Sequence, residues 1–292
     1  MRNPHDPSRT PGGSSSGSGA AVGDFQVPLA LGSQTVGSTI RPGSYNGVYA
    51  MKPTWNAITR EGQKISSLTL DTLGLYARSV EDLQLLLSVF GVHDDDEKEI
   101  VRSGSNPTFS DFNFKFALVK MMQWHHAGPG TVAAMEKAAD LLRRHGATVD
   151  EQELPSEFQQ LPSWNHTLLV GEEYPSFLPD YGTAKDQLDK SIAETVENTS
   201  HRTLKHRDFL RAYDGIASLR PKFDDFAARY DAILAPSACD EAPVGLDYTG
   251  NPTLNGVWTV LSLFFLSFFL SPSTAQSLTR RSLMISPFMS PW

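Results

Sequence analysis

Residues 11–54 alternate glycine-rich turns with short apolar runs, and this is the feature that most limits how the chain can fold. A flexible Gly/Ser linker would have no reason to place apolar residues between its glycines. Here residues 27–31 and 48–51 are such runs, and each reads as a strand. The same block carries several serines that follow a glycine, among them Ser14 and Ser38, twenty-four positions apart. Glycine permits tight backbone geometry around a hydroxyl, so these serines are the first candidates for chemistry.

Periodicity further along the chain sets the fold class. Ser79 can cap a helix over residues 79–90, with Asp82 completing a capping-box pattern. Leu83, Leu86, Leu87 and Phe90 then form one apolar stripe, and Gly91 ends it. A second helix over about residues 131–145 puts Val132, Met135, Ala139 and Leu142 on one face, with Arg143 and Arg144 in its last turn and Gly146 as its stop. Strands over 116–119 and 147–149 flank it, and strand, helix, strand in that order argues for an α/β fold. A third helical stretch, 203–230, aligns Phe209, Tyr213, Ile216, Phe223, Phe226 and Tyr230, with Pro221 expected to kink or split it. A short buried strand is expected at 232–235. The run Asp94-Asp95-Asp96-Glu97 lacks partners at calcium-loop spacing and reads as a solvated loop.

Charge and cysteine content narrow the function classes. The balance of 25 basic and 33 acidic residues gives a net charge of −8, with no Lys/Arg-rich face for a phosphate backbone, so a nucleic-acid partner is not expected. The single cysteine, Cys239, excludes an internal disulfide framework. With no apolar leader in the first residues, the expected compartment is the cytoplasm. The apolar run 257–270 falls short of the roughly 20 residues that a spanning helix needs, so a membrane anchor is not expected either.

The order Gly12-Gly13-Ser14-Ser15-Ser16-Gly17-Ser18, then Leu31-Gly32-Ser33-Gln34-Thr35-Val36-Gly37-Ser38, then Met51-Lys52-Pro53-Thr54 resembles the amidase signature family. The likeness continues through Leu70-Asp71-Thr72-Leu73-Gly74 and Ala77-Arg78-Ser79-Val80-Glu81-Asp82-Leu83, and more weakly to about Leu261. It implies a mixed β-sheet covered by helices, one domain over residues 1–260, and hydrolysis of a small-molecule amide without a cofactor or metal. The oligomeric state stays open.

The resemblance also implies roles for particular residues. Ser38 would be the nucleophile and the backbone N–H groups of Thr35, Val36, Gly37 and Ser38 the oxyanion hole. A serine hydroxyl is a poor nucleophile at neutral pH, so both a proton acceptor and oxyanion donors are required. Ser14, after a cis peptide bond from Gly13, would relay the proton; on its residues alone it would equally suit a helix cap. Arg41 either receives a substrate carboxylate, which a guanidinium fork matches, or ties down its own loop.

Several positions depart from the family pattern. Gln34 stands where many members carry Asp, and Val36 where Gly is usual; neither removes a reacting group. The family's general base is a lysine several dozen residues before the bridging serine, a place that residues 1–13 do not reach. Lys52 is the nearest lysine in sequence but belongs to an element without a catalytic part in the family. The histidines form no triad context, and the His125-His126 pair has no zinc spacing. Residues 261–292 resemble neither the family nor a helix or strand period, and read as a divergent tail. The expectation is therefore an amidase fold incomplete at both ends, impaired or inactive as a catalyst, with uncovered apolar faces that favour association. The runner-up among enzymes is the A subunit of an amidotransferase.

Overall fold

The computed structural model describes residues 1–91, 114–198, 203–263, 265–270 and 281–287. Its helices are α1 (Ser16–Gly23), α2 (Ile40–Asn46), α3 (Val80–Phe90), α4 (Pro129–Arg144), α5 (Leu161–Ala184), α6 (Lys190–Glu197), α7 (His206–Ala227) and α8 (Thr253–Val260). The strands are β1 (Leu29–Gln34), β2 (Tyr49–Lys52), β3 (Thr72–Ala77), β4 (Lys115–Lys120), β5 (Thr148–Glu153), β6 (Ala232–Pro236), β7 (Phe265–Leu270) and β8 (Arg281–Pro287). They form an 8-stranded sheet in the order β1-β3-β2-β7-β8-β6-β4-β5. The β4 strand runs parallel to both β5 and β6, whereas every other pairing is antiparallel. The mixed α/β architecture expected from the sequence is present.

The β4-α4-β5 unit forms where the periodicity placed it. Met135 and Ala139 of α4 are buried against Phe116, Leu118 and Val149. Gly146 ends that unit's helix with a φ of +89°, a conformation that costs glycine nothing. In α3 the Ser79 hydroxyl accepts from the Asp82 N–H at 3.1 Å, as a cap should, and Leu83 and Leu86 are buried. Phe90 departs from the expected stripe and stands 38% exposed, and Gly91 leaves the helix in an extended rather than a left-handed conformation.

In the chain's second half one expectation is narrowed, one is corrected, and one helix carries no sequence signal. Helix α7 runs unbroken through Pro221, which is tolerated because the carbonyl four residues back belongs to Ala217 on the exposed side, where water can replace the lost donor. Residues after Leu261 do contain strands: β7 and β8 sit in the middle of the sheet between β2 and β6. Helix α5 was not foreseen at all, since Pro175 and Pro179 lie inside it. It is held by reciprocal packing, with Trp164 of α5 over Gly215 of α7 and Phe209 of α7 over Gly171 of α5. The acidic run 94–97 lies outside the described residues. No helix among the described residues is long and apolar enough to cross a membrane.

Candidate active site

The serine-rich run solves an edge problem before it offers any chemistry. Strand β1 is at the sheet's edge, where unpaired backbone groups would otherwise face outward. The Ser15 hydroxyl accepts from the Ser33 N–H and donates to the Ser33 carbonyl, both at 3.1 Å, and the Ser18 hydroxyl donates to Leu31 O at 2.5 Å. Ser16 turns the other way and donates to Gly12 O at 2.6 Å. Two hydroxyls of α1 and its cap thus stand in for a neighbouring strand. Ser14 takes no part in this: its side chain is exposed, the peptide before it is cis, and the N-cap of α1 is Ser15. The helix-cap reading of Ser14 is thereby overturned.

Ser15 also brings the two candidate serines together, because its N–H donates to Ser38 O at 3.3 Å. The Ser14 and Ser38 hydroxyls make no hydrogen bond with each other, or with any lysine, among the described residues. Beside them the chain leaves β1 and turns through Thr35, Val36 and Gly37 into α2. No acceptor is found among the described residues for the backbone N–H groups of Thr35, Val36, Gly37 or Ser38. Gly37 is buried and Thr35, Val36 and Ser38 are half-buried, so these four N–H groups stand together beside the Ser38 hydroxyl, where an oxygen atom entering the site could accept from them.

This loop is fastened by residues that sequence reading did not assign. The Gln34 Oε1 accepts from the N–H groups of Thr39 and Ile40, both at 2.9 Å. The Tyr76 hydroxyl, fully buried on β3, donates to Thr39 O at 2.8 Å, and burial pushes its pKa up. The Thr35 hydroxyl donates to Asp71 at 2.7 Å, and Asp71 also accepts from the Ser66 N–H at 2.6 Å. Burial raises the Asp71 carboxyl despite these bonds. Ser66 in turn reaches Glu173 of α5 at 3.1 Å, so a polar chain links α5 to the loop. Asp71 lies in a quoted stretch of the resemblance, which was the available signal; for Tyr76 there was none.

Arg41 faces the Ser14 side. It is 4% exposed, with Nη2 donating to Gly13 O at 2.6 Å and Nε to Thr249 O at 2.8 Å. The guanidinium therefore ties the peptide leading into Ser14 to the 249 loop, while Nη1 is buried without a partner among the described residues. Burial lowers its pKa, opposed by nearby tyrosines. Lys52 is fully buried at the end of β2 and its ammonium donates to Pro53 O at 2.9 Å. Burial brings its pKa down from 10.5 to about 7. Among the described residues no cluster of His, Cys, Asp and Glu could hold a metal ion.

Residues 1–267 match the amidase family. The chain belongs to the amidase family. The A subunit of glutamyl-tRNA(Gln) amidotransferase from Exiguobacterium sp. is 32% identical over 265 residues, covering 82% of this chain and 55% of that protein. This family member therefore spans about half the length of the curated relatives it matches. A solved structure described as an amidase superposes with a TM-score of 0.79 at 24% identity, over 98% of this chain and 64% of that one. The corresponding amidotransferase protein from Thermotoga maritima gives 0.77 at 23% identity, again over 98% and 64%. At these identities the superpositions establish the amidase-signature fold.

Proposed function

We propose that the site is that of an amide hydrolase in which Ser38 forms an acyl-enzyme with a small carboxamide. The observation that carries this reading is the run of unpaired N–H groups from Thr35 to Ser38 beside the Ser38 hydroxyl. As the Ser38 Oγ attacks the carboxamide carbon, its proton passes to the Ser14 hydroxyl while Ser14 gives its own proton to the amide nitrogen, and the loop amides hold the oxyanion. Collapse of the tetrahedral intermediate then breaks the C–N bond, and the nitrogen, already protonated through Ser14, leaves as ammonia. Water then attacks the ester and releases the carboxylate. Arg41 keeps the Gly13 peptide in place through Nη2 and Nε, which leaves Nη1 as the donor for a carboxylate on the substrate.

Neither Arg41 nor Lys52 serves as the base. Arg41 does not give up its proton in proteins, and Lys52 is bonded to Pro53 O rather than to either serine. Residues 1–292 on their own are therefore expected to turn over slowly. The naming of the curated relatives favours a second reading, a protein like the amidotransferase A subunit that passes ammonia to a partner. Ammonia release from a small carboxamide by the isolated chain decides between them. Slow release that disappears in Ser38→Ala supports the hydrolase; release indistinguishable from that variant supports a non-catalytic member or one that needs a partner.

A further inference from the structure

The side chain of Gln34 fastens both the far end and the middle of the loop that it precedes. Its Oε1 uses both lone pairs on the Thr39 and Ile40 N–H groups, immediately after Ser38. Its Nε2 donates to the Thr259 hydroxyl at 3.1 Å, and that hydroxyl donates to Val36 O at 2.8 Å. Gln34 is fully buried and Thr259 nearly so, so water does not compete for these bonds. Amide orientation follows from the network: turning it over would aim NH₂ at two N–H donors.

We propose that Gln34, acting through Thr259, is a positioning residue for the Thr35–Ser38 donor array. This rests on the reading of Ser38 as nucleophile. Many family members carry Asp at this position, but the arrangement in this chain, with the Thr259 hydroxyl proton spent on Val36 O, calls for a neutral amide that donates to Thr259. A carboxylate could accept from Thr39 and Ile40, but it could not donate to Thr259. It would instead draw the Thr259 proton to itself and release Val36 O. The middle of the loop would then lose its only side-chain tether among the described residues, while the start of α2 stayed bonded.

The test uses the full 292-residue chain and three variants, Gln34→Glu, Thr259→Val and Thr259→Ser. An activated ester or a fluorophosphonate reports the rate of Ser38 modification, and amide hydrogen exchange reports the loop. Gln34→Glu and Thr259→Val are expected to slow modification by about tenfold or more with the near-UV spectrum retained. Thr259→Ser, which keeps the hydroxyl, should stay within about twofold of the parent. Exchange of the Arg41 amide, which donates to Gly37 O at 3.0 Å, should quicken at least tenfold in the first two variants only. Modification and exchange at the parent's rates in Gln34→Glu and Thr259→Val would overturn the proposal, as would a Thr259→Ser variant as slow as Thr259→Val. If Ser38 in the parent resists the reagent altogether, the nucleophile reading fails, and the exchange rates alone still decide whether Gln34 holds the loop.

Discussion

Replacing Lys52 with methionine is expected to stabilise the protein at pH 7 and to flatten its stability between pH 7 and 10. Lys52 is fully buried and burial takes its pKa from 10.5 down to about 7. The folded pKa lies below the unfolded one, so the unfolded chain binds more protons across that window, and stability rises with pH. At or below pH 7 the folded state bears the cost of holding or discharging the ammonium, on the order of 3–5 kcal/mol. Methionine fills similar volume without the charge, but gives up the bond to Pro53 O and the further interaction that Lys52 makes, at about 1 kcal/mol each. A net gain of about 1–3 kcal/mol at pH 7 is the expected balance. Tyr45, Tyr76 and Cys239, all with raised pKa values, pull stability down above about pH 9–10, but they do so in parent and variant alike. Denaturant unfolding of both proteins at pH 7 and pH 9.5 measures this. Parallel pH curves, or a variant less stable at pH 7, would mean that Lys52 is not a strained buried cation.

Gly37→Ala is expected to damage the site more than the fold. A methyl group at Gly37 would sit 2.5 Å from the Asn255 Oδ1, and Asn255 is buried and fixed by its Nδ2 bond to Ser237 O at 3.2 Å. Either Asn255 or the donor loop must move. Overpacking of this kind costs about 1–3 kcal/mol. Misplacing one oxyanion donor costs on the order of 10²–10³ in rate. The rate of Ser38 acylation by an activated ester, followed beside the thermal midpoint, separates the two effects. A variant that loses stability but acylates at the parent's rate would place the oxyanion donors elsewhere.

The fold was readable wherever periodicity was local. The apolar face of α4 and the cap of α3 need only residues three or four apart, and both formed as expected. Helix α5 was hidden by its internal prolines, which neighbouring packing tolerates but a single sequence cannot foretell. Strands β7 and β8 were unreadable for the opposite reason: a Phe/Leu/Ser tract has no contrast between faces, and a strand in the middle of a sheet needs none. In the candidate site, Ser14, Ser38 and the loop between Gly32 and Ser38 stood out because the motif is contiguous. Its supports did not. Gln34 and Thr259 are 225 positions apart, and Thr35 and Asp71 are 36 apart, so nothing in either stretch pointed to the other. For Arg41 the sequence leaves two roles open: Nη2 and Nε are spent on Gly13 O and Thr249 O, and the Nη1 donor keeps the carboxylate role available.

The most direct test of the account is mass spectrometry of the chain after treatment with a fluorophosphonate. One adduct is expected, on the peptide containing Ser38, lost in Ser38→Ala and slowed in Ser14→Ala. An adduct on another serine, or a Ser38→Ala protein labelled as fast as the parent, would contradict it.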